Sequence, residues 1–284
     1  MSSLKQKLNG GKLLVAPGVY DLISVKLADQ MGFDCLYMTG FGSVASYLGL
    51  PDAGLATYTD MVNRVAAFCG ASKTPIICDG DTGYGGLLNV ANTVKGYEKA
   101  GAAGIQLEDQ EFPKKCGHTA GRRVTSAEDM VRKLQVASDS RTSSEFLIVA
   151  RTDARTSLGL DEALRRAEKY AKAGADILFI ESPESEKELE IIGKSFDLPV
   201  LVNIVEGGRT PQLKPQDLES LGFSLAIYPG TGFLAVAKAL EKVYSEIKNG
   251  QGTLNVTSDL YSFEKLCLLM GFKEVWDFDA KYKE

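Results

Sequence analysis

At 284 residues and 44% hydrophobic content the chain can bury one large core, and α/β barrels of this length fold as single domains. A net charge of −5 and a pI near 5.2, with Lys and Arg scattered apart from short pairs such as Arg122-Arg123, argue against a nucleic-acid surface. No apolar run nears the about 20 residues of a membrane span, and no secretion signal is visible at the N-terminus. Five cysteines (Cys35, Cys69, Cys78, Cys116, Cys267) without CxxC or CxxH spacing predict reduced thiols in the cytoplasm, with neither a zinc site nor a disulfide frame.

The first apolar run, Lys12-Leu-Leu-Val-Ala-Pro, predicts a strand. A recurring unit follows, in which a helix end and a glycine lead into a buried strand. It reads Gln30-Met-Gly-Phe-Asp-Cys-Leu-Tyr-Met-Thr, then Tyr97-Glu-Lys-Ala-Gly-Ala-Ala-Gly-Ile-Gln-Leu-Glu, Tyr170-Ala-Lys-Ala-Gly-Ala-Asp-Ile-Leu-Phe-Ile-Glu and Leu218-Glu-Ser-Leu-Gly-Phe-Ser-Leu-Ala-Ile-Tyr-Pro. Glycine suits the residue after a helix, which needs a positive φ. Seven residues beyond each glycine stand Thr39, Glu108, Glu181 and Pro229, all at carboxyl ends of predicted strands.

Three further runs, Thr74-Pro-Ile-Ile-Cys-Asp, Phe146-Leu-Ile-Val-Ala-Arg and Leu198-Pro-Val-Leu-Val-Asn, complete eight strands. Continuous apolar strands alternating with helices predict a parallel sheet covered on both faces. One such helix spans residues 161–173, with Asp161 as N-cap and Gly174 as stop. The pattern predicts a (β/α)8 TIM barrel over residues 1–250. A doubly wound sheet is the alternative, but no Gly-x-Gly-x-x-Gly follows the first strand and no Gly-x-x-x-x-Gly-Lys-Ser/Thr occurs. Residues 232–248 predict one more helix. The extension over residues 251–284 carries Phe263, Leu266, Leu269 and Met270 at helical spacing, an apolar face that its own barrel or a partner subunit must cover.

Polar residues at barrel strand ends converge on one site. Here they are Asp79, Glu108, Arg151, Glu181 and Asn203, joined by Asp81 in the turn Asp79-Gly-Asp-Thr-Gly. Asp79, Asp81 and Glu108 make an oxygen-only set suited to Mg2+, with Mn2+ as a substitute, and poorly suited to zinc. Singly, each acid also fits a helix cap or half of an ion pair. Arg151 offers a planar fork to a substrate carboxylate, pairing with a neighbouring acid being its structural alternative. Lys114-Lys-Cys-Gly-His places a thiol, two ammonium groups and the sole histidine in five residues of a loop-like stretch. Neighbouring cations lower a thiol's pKa and make Cys116 a usable acid or nucleophile. Pro113, Gly117 and Gly121 in the stretch 110–124 predict a gate over the site.

These motifs, with Tyr37-Met-Thr-Gly, Leu50-Pro-Asp, Asp79-Gly-Asp-Thr-Gly-Tyr-Gly, Gln106-Leu-Glu-Asp-Gln and Ala150-Arg-Thr-Asp-Ala, resemble the isocitrate lyase/phosphoenolpyruvate mutase superfamily along essentially the whole barrel. The resemblance implies a Mg2+-bound α-oxycarboxylate substrate, a loop that closes over it, and homotetramers that exchange their last helices. Carried onto this chain, it implies Asp79 as the direct metal ligand, with Asp52, Asp81 and Glu108 holding metal-bound waters. It implies Thr39, Gly40 and Phe41 as contacts to the α-oxycarboxylate, and Arg151 and Asn203 as contacts to substrate oxygens, supported by Glu181. Cys116 is then the loop acid, Lys114 and His118 further catalytic groups, and Gly117 and His118 loop contacts to substrate.

The family's mutases lack that cysteine, so its presence favours the carbon–carbon lyase branch and a retro-aldol cleavage. Tyr37 is a candidate base beside a metal-bound water, a buried core tyrosine being the structural alternative. Isocitrate lyases are longer, and methylisocitrate lyases need polar groups that Leu225-Ala-Ile-Tyr-Pro-Gly-Thr-Gly-Phe-Leu-Ala-Val-Ala lacks. Oxaloacetate hydrolases place a serine near the end of strand eight, where this chain has Pro229, an apolar ring suited to a substrate alkyl group. The 2,3-dimethylmalate and 2-alkylmalate lyases therefore fit best, with pyruvate and a short carboxylate as products. Methylisocitrate lyase and oxaloacetate hydrolase or decarboxylase are the enzymatic alternatives. A phosphonate-metabolising member and a non-catalytic dicarboxylate-binding barrel are more distant. A Schiff-base aldolase would need a lysine at a strand end, and none of the eight strands ends in one.

Overall fold

The computed structural model describes residues 3–117, 119 and 121–283. Eight parallel strands close into a barrel: β1 (Leu14–Val19), β2 (Leu36–Met38), β3 (Ile76–Asp79), β4 (Gly104–Glu108), β5 (Leu147–Thr152), β6 (Ile177–Ile180), β7 (Val200–Asn203) and β8 (Leu225–Tyr228). Each pairs with its neighbour in sequence, and β8 pairs with β1 through Leu14↔Leu225 and Ala16↔Ile227. This is the (β/α)8 barrel that the alternation of apolar runs and helices predicts. Gly32, Gly101, Gly174 and Gly222 all adopt positive φ, 76 to 107°, so the recurring glycine does end the helix before each strand. One helix start differs. The helix expected over residues 161–173 runs Leu160–Lys172, because Gly159 (φ 89°) ends the short helix Ala154–Leu158 and opens the next. Asp161 lies in its first turn, where a carboxylate still favours the helix N-terminus.

Side chains alternate along every strand and divide the core in two. Ala16, Tyr37, Ile77, Val149, Phe179, Leu201 and Ile227 fill the barrel. Met38, Cys78, Ile105, Leu107, Ile148, Leu178 and Val202 face outward and pack with helix residues such as Phe68, Tyr97, Leu134 and Tyr170. At the amino end the interior is completed by Leu4 and Leu8 of the helix Leu4–Leu8. Continued one step toward the carboxyl end, the inward rows reach Thr39, Asp79, Glu108, Arg151, Glu181, Asn203 and Pro229. The site is thus the top layer of the barrel filling.

The chain divides into two compact units, residues 1–231 and 232–284. The division falls after the first residue of the helix Thr231–Lys248, a helix that lies inside the stretch 1–250 expected for the barrel. The second unit contains that helix, a 3-10 turn at Thr257–Asp259, and the helices Phe263–Leu269 and Phe272–Lys281.

Candidate active site

Asp79 closes the inward row of β3, and its two oxygens have different surroundings. Oδ1 accepts the Asp81 amide at 3.0 Å and the Gln106 side-chain amide at 3.1 Å. Gln106, inward on β4 one layer below, accepts in turn from the Tyr37 hydroxyl at 2.6 Å. Oδ2 accepts no hydrogen bond among the described residues. It faces the start of the helix Gly40–Leu48, where a Cβ on Gly40 would stand 2.4 Å from it. That close approach requires glycine, and it brings a helix N-terminus, which favours negative charge, against the carboxylate. Thr39 caps this helix without a side-chain cap bond.

Beside Asp79 lie Asp52, Asp81 and Glu108, all buried. Lys114 reaches in from the loop between β4 and the helix Ala127–Ser140, its Nζ 2.6 Å from both Asp52 Oδ1 and Asp81 Oδ1. Burial alone would lower the Lys114 pKa, but Asp81, Glu108, Asp52 and Asp79 outweigh it and hold the ammonium well above its usual value. Burial pushes the Asp81 carboxyl up to about 7 despite Lys114, with Asp79 and Asp52 adding to the rise. Burial raises Glu108 well above the carboxylate range as well, and its Oε1 is buried without a hydrogen-bond partner among the described residues. Asp81 sits at φ 49°, a left-handed conformation held by the turn.

Across the mouth, Arg151 ends the inward row of β5. Asp153 grips its Nε and Nη2 at 2.9 Å each, while Glu108 Oε2 lies 3.5 Å from Nε and Glu181 Oε2 3.3 Å from Nη2. Glu181 Oε2 also accepts the Asn203 amide at 3.1 Å, so one carboxylate oxygen fixes both groups. The loop lies over this corner. A Cβ on Gly117 would fall 2.3 Å from Arg151 Nη2 and 2.7 Å from Glu181 Oε2, and the Gly117 carbonyl accepts the Ser182 hydroxyl at 3.1 Å. Gln110 holds the Lys115 backbone through two hydrogen bonds, and the Cys116 amide donates to the Asp52 carbonyl at 3.2 Å. Cys116 itself is half-buried. Among its described residues the loop has no helix, as its composition predicts.

Tyr37 donates its hydroxyl to Gln106, and burial together with Asp79 raises its pKa well above the phenol range. Lys114 and Lys115 each have oxygen partners of their own. The first ammonium is committed to Asp52 and Asp81, and the second extends to the Gly121 carbonyl at 3.4 Å. His118 lies outside the described residues. Phe41 is partly exposed on the first turn of its helix, and Pro229 sits against Gly18 at the β1–β8 seam. Gln106, Asp109, Arg122 and Asp153 were not singled out beforehand. Period-two counting back from Glu108 would have found Gln106, whereas the others depend on loop and helix packing.

A hard divalent cation fits these residues. Asp79 Oδ2 has no donor and Glu108 Oε1 no hydrogen-bond partner among the described residues, and buried carboxyls crowd one pocket in which Lys114 pairs with Asp52 and Asp81. Among the described residues no group of three or more His, Cys, Asp or Glu side chains is placed to hold a metal directly. On the family resemblance, Asp79 would hold the ion, with Asp52, Asp81 and Glu108 reaching it through water.

The closed barrel and the polar layer at its carboxyl mouth define an α/β-barrel enzyme. The family model for phosphoenolpyruvate phosphomutase matches residues 4–248. A 2,3-dimethylmalate lyase from Eubacterium barkeri is 46% identical over 281 residues, covering 99% of this chain and 97% of that protein. A solved structure of oxaloacetate acetylhydrolase with 3,3-difluorooxalacetate superimposes with a TM-score of 0.93 at 32% identity, covering 98% of this chain and 95% of that one. A phosphonopyruvate hydrolase bound to oxalate and Mg2+ does so with a TM-score of 0.89 at 29% identity, covering 99% and 98%. The chain belongs to the phosphoenolpyruvate mutase/isocitrate lyase superfamily.

Proposed function

We propose that this chain is a Mg2+-dependent carbon–carbon lyase cleaving a 2-alkylmalate such as 2,3-dimethylmalate to pyruvate and a short carboxylate, here propionate. The observation that carries the reading is one barrel mouth with two unlike halves, an acid pocket around Asp79 and a guanidinium corner around Arg151, roofed by a loop that bears Cys116. The 46% identity to a 2,3-dimethylmalate lyase over nearly the full length supports it.

A divalent cation at Asp79 would polarise the 2-hydroxycarboxylate and stabilise its developing oxyanion. The remaining work falls to side chains. Thr39 and Gly40, at a helix N-terminus, meet the α-carboxylate, with Phe41 beside them. Arg151 and Asn203 hold substrate oxygens while Glu181 orients both. As a water of the site takes the proton of the 2-hydroxyl, the O–H electron pair forms the C2 carbonyl, the C2–C3 bond breaks, and its electron pair leaves on the second fragment as a carboxylate enolate. Cys116 delivers the proton that this fragment takes at C3. Lys114 offsets negative charge in the pocket, and Gly117 lets the loop pack close enough to exclude water. Pro229 lines the alkyl end of the substrate.

The test is a screen of 2-methylmalate, 2,3-dimethylmalate, 2-methylisocitrate, isocitrate and oxaloacetate with Mg2+, detecting pyruvate, glyoxylate and oxalate. Pyruvate should form fastest from an alkylmalate, and EDTA should stop it. The likeness to oxaloacetate acetylhydrolase favours a second reading, hydrolysis of oxaloacetate. Faster oxalate than pyruvate formation by the wild type would install that reading, whereas on ours only Pro229→Ser moves the ratio toward oxalate.

Assembly and location belong to the same proposal. Phe263, Val275, Trp276 and Phe278 are exposed, and a homotetramer with exchanged helices would cover them. Free cysteines suit the cytoplasm, and among the described residues no helix is long and apolar enough to cross a membrane. Sedimentation of the full chain should give a tetramer.

A further inference from the structure

Arg151 is not held by its strand alone. Its fork is gripped edge-on by Asp153, whose Oδ2 accepts from Nε and Oδ1 from Nη2, both at 2.9 Å. Among the described residues Nη1 makes no hydrogen bond, so this grip decides which edge of the guanidinium faces the site. Asp153 has a second cation. Arg122, at the returning end of the loop, donates from Nη1 to the same Oδ1 at 2.5 Å and from Nη2 to the Thr156 hydroxyl at 2.8 Å. The Arg122 Nε also donates to the Thr119 carbonyl at 3.2 Å, tying the guanidinium to its own loop. The carboxylate between the two arginines is fully buried, and both guanidinium groups are nearly so.

Asp153 cannot drift to follow either partner. Its amide donates to Asp109 Oδ1 at 2.9 Å, and Asp109 Oδ2 is fixed by the Thr152 hydroxyl at 2.7 Å, the Tyr170 hydroxyl at 2.8 Å and Arg166 Nη1 at 3.0 Å. Asp109 also accepts the Thr125 amide through its carbonyl at 2.8 Å, which anchors the far end of the loop to the same post.

We propose that Arg122 and Asp153 are positioning residues that couple the seat of the loop to the charge Arg151 presents. This rests on the reading of Arg151 as the group that meets a substrate anion. One buried carboxylate divides its attraction between two cations. With Arg122 in place, Asp153 neutralises Arg151 less, and the fork keeps more of its charge for the ligand. Lifting the loop withdraws Arg122 and leaves Arg151 to Asp153 alone. The coupling is reciprocal, because an anion on Arg151 loosens its hold on Asp153 and tightens that of Arg122. Ligand binding therefore draws the loop down through a carboxylate that never touches the ligand.

The experiment compares wild type, Arg122→Met and Arg122→Lys, with oxalate plus Mg2+ as the probe. Affinity is measured by calorimetry, and loop protection by hydrogen exchange over residues 111–123. Arg122→Met should weaken oxalate by about 10-fold, within the usual range of coupling, and lose most of the protection that oxalate adds. Arg122→Lys keeps the charge and should recover a large part of both. With a turned-over substrate, KM should rise alongside the oxalate Kd while kcat changes less. Oxalate affinity and ligand-induced protection within about 2-fold of wild type in Arg122→Met would overturn the proposal, as would equal losses in Met and Lys variants that melt as the wild type does. Should Arg122→Met not fold, Arg122→Gln takes its place, with the same losses expected and the same wild-type-like result overturning the coupling. Because oxalate needs no catalysis, a wild type inactive on every alkylmalate would sink the lyase reading and leave this test intact.

Discussion

The two halves of the barrel mouth solve opposite problems. From β2 to β4 the strand ends supply Asp79 and Glu108, and the adjoining turns add Asp52 and Asp81, with Lys114 as the inserted cation. From β5 to β8 they supply Arg151, Asn203 and Pro229, with Glu181 accepting from its neighbours. On the first side, buried carboxyls are raised by desolvation, so that side is incomplete until a cation joins it. On the second, Asp153 stays below the usual carboxylate range although burial opposes it, because Arg151 and Arg122 outweigh the burial. One half is waiting for positive charge and the other is internally balanced. On the proposed function, the first would hold the metal and the second would orient a substrate anion whose far end is apolar.

Removing the acid half at its centre should have the largest effect. Asp79→Ala should cut turnover by roughly 10³-fold or more, since a Lewis acid contributes several kcal/mol. Mg2+ should also no longer raise the melting temperature, and wild-type turnover by this variant would remove the metal assignment. The roof over both halves comes next. Cys116→Ser should lower kcat by about 10²-fold with KM little changed, because a hydroxyl is a far weaker proton donor than a thiol. A change confined to KM would instead make Cys116 a binding group.

The guanidinium half is probed most locally by Gly117→Ala. Its Cβ would lie 2.3 Å from Arg151 Nη2, so the loop must ride higher, and we expect about a 10-fold loss in kcat/KM with little change in melting temperature. Unaltered kinetics would mean that the loop does not pack on Arg151 during turnover. The smallest effect concerns pH. In the metal-free protein Asp81 keeps its proton up to about 7, against 3.8 when unfolded. The folded state then holds the extra proton across that window, and the group's contribution to stability falls as pH rises through it. Mg2+ must displace that proton below pH 7, so its stabilisation, a few degrees, should be larger at pH 8 than at pH 6. Equal shifts at the two pH values would show that Asp81 does not titrate with the metal.

Much of this was legible in the chain itself, for a local reason. Strand and helix are repeating conformations, so apolar period, glycine stops and the spacing from Gly32, Gly101, Gly174 and Gly222 to Thr39, Glu108, Glu181 and Pro229 fixed the barrel and its top layer without knowledge of any contact. Residues on strands inherit their direction from that period, which is why Asp79, Arg151 and Asn203 stand where the sequence put them. Tertiary structure decided what no period encodes. It set Lys114 between Asp52 and Asp81, left Tyr37 a donor to Gln106, and set Asp153 between two arginines 29 residues apart in sequence, Arg122 and Arg151. Those side chains lie on a loop or meet partners brought from other elements, and their charges take the arrangement that leaves fewest buried groups unmatched.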